Sequence, residues 1–182
     1  KELNARGVTE VMFEAITAGE KDYTPLVSKL KEVKADFIYF GGYKAEGGLI
    51  VRQMREQGLA ATLVGGDPLV TAEFWSITGP AGEGTLMTFG PDPRLDPANA
   101  ALVKRFQAEH YEPEAYTLYM YAAIQVWAQA VGKAGSTDPA KVEAALKADS
   151  FDTVLGKMGL DAKGDVVAPG YVLYVWKNGS YV

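Results

Sequence analysis

Two short runs place a tyrosine or an aspartate directly behind paired glycines: Gly41-Gly42-Tyr43 and Gly65-Gly66-Asp67-Pro68. Paired glycines let a backbone come close to a ligand, or simply turn tightly. An aromatic face and a carboxylate in one crevice suit an ammonium group, through cation–π attraction and a charge-assisted hydrogen bond. The same residues permit a second role for Asp67, as the cap of the following helix with Pro68 in its first turn. Tyr116, in the first turn of a long helical pattern, is a third residue to keep. Gly42 and Gly47 have the glycine spacing of a phosphate loop, but Gly48 stands where that loop requires lysine. Nucleotide phosphates are therefore not supported.

Composition removes other chemistries. The chain has 182 residues and no cysteine, which excludes disulfide scaffolds, thiolate metal sites and cysteine nucleophiles. The one histidine, His110, sits at a polar helix end, where a solvated role is expected. No nucleophile–base pair is legible, so the reading is not an enzyme, and neither a metal nor a cofactor is implied. The formal net charge of −5 lacks the basic face that a phosphate-backbone reader needs, which argues against nucleic acid. Asn178-Gly179-Ser180 matches a glycosylation acceptor, but a tight turn explains the same residues better.

The candidate residues need elements to position them. Residues 8–16, 36–40, 61–64 and 85–89 read as short strands rich in β-branched and aromatic side chains. Between them lie helical patterns, the clearest being Leu26, Val27, Leu30 and Val33, with Asp22 or Thr24 as cap and Pro25 in the first turn. Residues 1–7 resemble a helix tail stopped at Gly7. Regular strand–helix alternation predicts an α/β fold, a mostly parallel sheet with helices on both faces. Ligands of such sheets bind at the carboxyl ends of the strands. That rule selects residues 17–22, 41–46 and 65–69, and so Tyr43 and Asp67.

After residue 90 the rhythm breaks at a turn-rich segment, Gly90-Pro91-Asp92-Pro93. Amphipathic helices are expected over residues 99–110 and 115–131, the second buried on much of its circumference, with a further helix starting at Ser136-Thr137-Asp138-Pro139. Residues 171–182 read as a hairpin with an Asn-Gly turn.

Several of these motifs, in order, resemble one known family. Ile16-Thr17-Ala18-Gly19-Glu20-Lys21-Asp22-Tyr23, Asp36-Phe37-Ile38-Tyr39-Phe40-Gly41-Gly42-Tyr43, Asp96-Pro97-Ala98-Asn99 and Tyr121-Ala122-Ala123-Ile124-Gln125 are similar to the branched-chain amino-acid binding proteins. These are the Leu/Ile/Val-type periplasmic receptors of ABC transporters. The resemblance runs along essentially the whole chain but covers only about the C-terminal half of a family member. It implies a type I periplasmic-binding-protein fold, with two α/β lobes joined by three crossings and an amino acid trapped between them. The closed form would be presented to a membrane permease. By resemblance, residues 1–88 belong to the second lobe and 89–93 to a hinge crossing. Residues 94–165 belong to the tail of the first lobe, and 166–182 to a return crossing and the final hairpin.

The resemblance places Tyr43 on the cleft wall of the second lobe and Asp67 on the ligand ammonium. It aligns Tyr116 with a first-lobe tyrosine at the cleft edge. Better-known receptors carry glutamate where this chain has Asp67, which is shorter by about 1.5 Å. Periplasmic placement is implied, with the export signal outside this chain. A ligand-sensing regulator of the same fold is the alternative. Were the first-lobe sheet absent, the helix over residues 115–131 would be expected to drive dimerisation or domain exchange.

Overall fold

The computed structural model describes residues 2–167 and 170–182. The return crossing expected at residues 166–168 thus lies partly outside the described residues, at Ala168. In chain order the elements are α1 (Glu2–Ala5), α2 (Thr24–Glu32), β1 (Phe37–Phe40), α3 (Lys44–Glu56), β2 (Thr62–Gly65), α4 (Ala72–Thr78) and β3 (Leu86–Phe89). They continue with α5 (Ala100–Ala108), α6 (Thr117–Ala134), α7 (Pro139–Ala148), β4 (Ser150–Thr153), β5 (Gly156–Gly159), β6 (Val172–Lys177) and β7 (Ser180–Tyr181). The chain divides into two compact units, Lys1–Phe89 with Val172–Val182 and Gly90–Tyr171.

In the first unit a five-stranded sheet runs β1-β2-β3-β6-β7. β1, β2 and β3 are parallel, and β6 pairs antiparallel with β3. The helical periodicity read from the sequence buries the residues that carry it: Val27 and Leu30 on α2, Ile50 and Met54 on α3, and Phe74 on α4. Pro25 sits in the first turn of α2, as its fixed φ favours. Asp22 Oδ1 accepts from the Thr24 amide at 2.9 Å and from the Thr24 hydroxyl at 2.6 Å. Asn178 and Gly179 both have positive φ, the conformation that a two-residue hairpin turn between β6 and β7 demands.

The expected strand at residues 8–16 does not form. Val11 is 76% exposed and Phe13 86% exposed, and β1 is the edge of the sheet among the described residues. β-Branched and aromatic side chains favour an extended backbone, but an extended backbone becomes a strand only where its N–H and C=O groups find a neighbour. Val8 donates to the Leu3 carbonyl at 3.0 Å, but among the described residues no strand pairs with residues 8–16.

In the second unit α6 packs against α7 and β4. Ala130, Val142 and Phe151 form its buried cluster. A β4–β5 hairpin was not legible in sequence. Gln129 holds it by donating Nε2 to the Asp152 carbonyl at 2.8 Å, while Gln125 Oε1 accepts from the Val154 amide at 2.9 Å. Along the line Leu118, Ala122, Val126 and Ala130 that the spacing predicts, Val126 is half-buried and the other three are buried. The other side of α6 differs from the expectation of wide burial: Met120, Ile124 and Trp127 are all more than half exposed.

Candidate functional site

β1 and β2 are parallel neighbours, with Phe40 in register with Gly65 at their carboxyl ends. The two candidate runs follow directly. Tyr43 takes the N-cap position of α3, with φ −101° and ψ 167°, and its ring is exposed. Its carbonyl accepts the first helical bond, from Gly47, at 2.9 Å. Asp67 opens a short 3₁₀ turn, Asp67–Leu69, and is also exposed. The strands thus bring Tyr43 and Asp67 to the same end of one sheet. Tyr116 lies in the second unit, at the N-cap of α6, and is 40% exposed.

Two details correct the local reading. Asp67 does not cap α4. That role falls to Thr71, whose Oγ1 accepts from the Phe74 amide at 3.3 Å. The 3₁₀ turn leaves three residues, Pro68, Leu69 and Val70, between Asp67 and the cap, and Pro68 stands in that turn instead of in α4. The paired glycines, for their part, answer first to packing. A Cβ on Gly42 would lie 2.5 Å from the Phe40 ring, and one on Gly65 would lie 2.5 Å from Leu69 Cδ1. Gly47 and Gly48 lie within α3, so residues 42–48 do not form a phosphate loop.

Residues that sequence reading passed over hold the loops in place. Glu46, in the first turn of α3, accepts the Gly19 amide at 2.9 Å. That hydrogen bond, with one from its own amide, holds the Glu46 carboxyl below its ordinary range. The buried Gln53 accepts the Tyr23 amide at 2.6 Å and donates to the Lys21 carbonyl at 2.9 Å. Burial, aided by Glu46 and Glu20, pushes the Tyr23 phenol above its ordinary value. The Tyr23 hydroxyl donates to the Thr17 carbonyl at 3.1 Å. Lys44 pairs with Glu73 on α4 at 2.6 Å. Trp176 on β6 is 2% exposed and donates Nε1 to the Leu69 carbonyl at 3.0 Å. The helix position of Glu46, three residues after Tyr43, is a first-turn acidic signal. Its partner, 27 residues upstream, is not marked in the sequence.

A cavity of about 180 Å³ lies elsewhere in this unit, against Glu14, Thr17, Tyr23, Leu26 and Lys29. Neither Tyr43 nor Asp67 lines it. Among the described residues, no group of acidic or histidine side chains could hold a metal ion. His110 follows the Glu109 cap of α5 at φ 60° and is exposed, as expected.

The sequence matches a known family over nearly its whole length. Its model, described as periplasmic binding protein, matches residues 1–180. The chain belongs to the periplasmic binding protein family. A Leu/Ile/Val-binding protein homolog 1 of Brucella suis is 52% identical over 181 residues, covering 99% of this chain and 49% of that relative. An amino acid binding protein of Pseudomonas aeruginosa is 48% identical over 183 residues, again covering 99% and 49%. The crystal structure of a leucine binding protein from Thermotoga maritima superposes with a TM-score of 0.81 at 30% identity, covering 92% of this chain and 49% of that one. The periplasmic-binding-protein fold is therefore type I, a mixed sheet with helices on both faces. This chain spans about half the length of the curated relatives that it matches.

Proposed function

We propose that the whole protein, of which this chain is about half, captures an amino acid, branched-chain or otherwise small and aliphatic. It would do so for uptake by an ABC transporter in the periplasm. The first unit is read as the second lobe and the second unit as the tail of the first lobe. Tyr43 and Asp67 are the ligand contacts of one, and Tyr116 of the other. The observation that carries the reading is the placement of Tyr43 and Asp67 behind the carboxyl ends of two neighbouring parallel strands. A carboxylate and an aromatic face together suit an α-ammonium group. The relatives' names, which speak of leucine, isoleucine and valine, support the aliphatic side chain.

The function is binding without chemical conversion. Ligand would favour a closed state by binding it more tightly than the open one, and that closed state would meet the permease. Calorimetric titration of the whole protein with leucine, isoleucine and valine tests this. Asp67→Asn keeps the shape and removes the charge. It is expected to weaken binding by about 2–5 kcal/mol, the cost of leaving a buried ammonium without its partner. Unchanged affinity in that variant would remove Asp67 from the site.

A further inference from the structure

The proposed ligand contacts sit at the start of α3 and in the Asp67–Leu69 turn, and three links tie α3 to the segments beside them. The carboxylate of Glu46 accepts the amide of Gly19, in the loop over residues 17–22. Gly19 has φ +85°, which a residue with a Cβ adopts only under strain, and in that conformation its N–H reaches Glu46. Gln53, two turns further along the same helix, holds Lys21 and Tyr23 on either side of Asp22. On the other side, Lys44 reaches Glu73 in the first turn of α4, the helix that follows the Asp67–Leu69 turn. Tyr43 lies next to Lys44 and three residues before Glu46.

We infer that Glu46 and Lys44 are positioning residues. The first turn of α3 binds the 17–22 loop and the start of α4 into one rim, so that Tyr43 and Asp67 are held at a fixed spacing before ligand arrives. The inference rests on the proposed amino-acid site. The two links differ in weight. The Glu46–Gly19 contact is a hydrogen bond to a charged acceptor. The Lys44–Glu73 pair is exposed on both sides, so salt and solvent weaken it. Glu46 therefore carries most of the effect. Preorganisation of this kind lowers the ordering cost of binding without adding a ligand contact.

The test uses the whole protein in four forms: unchanged, Glu46→Ala, Glu46→Gln and Lys44→Met. Hydrogen exchange at the Gly19 amide, read by NMR without ligand, is expected to speed up in Glu46→Ala. Glu46→Gln keeps an oxygen acceptor and is expected to restore most of the protection. With L-leucine as probe, Glu46→Ala is expected to raise Kd roughly three- to tenfold, and Glu46→Gln to recover most of that. Lys44→Met is expected to raise Kd by less than about threefold, with the difference vanishing in high salt. Equal Gly19 exchange in the unchanged protein and Glu46→Ala overturns the latch. Faster exchange with unchanged Kd overturns its role in positioning, as does a Glu46→Gln variant no better than Glu46→Ala. An unchanged protein that binds neither a branched-chain nor any other small aliphatic amino acid refutes the amino-acid reading instead, and the exchange measurement still decides whether the latch exists.

Discussion

Replacing Trp176 with Phe removes one hydrogen-bond donor and part of one ring between the final hairpin and the turn that carries Asp67. Trp176 is 2% exposed, stacks on Phe74 and Trp75 at centroid distances of 5.9 and 5.5 Å, and meets Tyr181 edge-on at 5.4 Å. Its Nε1 donates to the Leu69 carbonyl at 3.0 Å. Phe keeps most of the stacking and loses the donor. A buried carbonyl deprived of its partner costs about 1–3 kcal/mol. The smaller ring leaves part of the slot empty, worth about 1 kcal/mol more. The expected loss is therefore about 2–4 kcal/mol, against about 3–5 kcal/mol for Trp176→Ala, which also forfeits the stacking. Urea unfolding of the 182-residue chain reads both values, provided that the slope is shared among the variants. Because Leu69 closes the turn that Asp67 opens, Trp176→Phe is also expected to weaken amino-acid binding by the whole protein. A loss below about 0.5 kcal/mol, within the usual range of a neutral surface change, would refute the assignment of the indole N–H as the tie.

Gly90 and Asp92 offer two independent checks in the second unit. A Cβ on Gly90 would lie 2.1 Å from the Tyr119 hydroxyl, which itself donates to the Pro91 carbonyl at 2.8 Å. Gly90→Ala is expected to cost about 1–3 kcal/mol, and Tyr119→Phe in the same chain to return part of it, read by thermal unfolding. Burial alone would raise the Asp92 carboxyl. The hydrogen bonds and charge of Arg94 outweigh that and hold it below the ordinary carboxylate value. A pKa lowered by folding means that the pair's contribution is present above the unfolded value of about 3.9 and is lost as pH falls through the lower folded value. Arg94→Met is expected to show a smaller loss of stability below about pH 4 in acid unfolding, and a loss as steep as that of the unchanged chain would contradict it.

Much of the element order was legible because it is local. Val27 and Leu30 announce the buried face of α2 by spacing, and Asn178-Gly179 announces the final turn by its tolerance of positive φ. Tyr43 and Asp67 could be singled out because strand ends followed by loops are the general binding position of parallel sheets. The cap of α4 was misplaced by four residues, since Asp67-Pro68 and Thr71 are both acceptable starts and only the 3₁₀ turn between them chooses. The hairpin of β4 and β5 was missed because Ser150–Thr153 and Gly156–Gly159 lack the apolar, β-branched and aromatic run that marks β1, β2 and β3, strands of the same length.

What the sequence determined by itself is the alternation of strands and helices, the turn residues, and which side chains stand at the ends of β1 and β2. Each follows from propensity and periodicity within a few residues. What only the tertiary structure decided is which groups meet across long separations. Residues 8–16 have the composition of a strand and, among the described residues, no strand to pair with. Gly42 and Gly65 serve the packing of Phe40 and Leu69 before any ligand. Glu46 finds an amide 27 residues away, and Trp176 finds a carbonyl 107 residues away. A donor or an acceptor is visible in a sequence. Its partner is not, because hydrogen bonds and close packing are properties of pairs, and the fold alone brings the pair together.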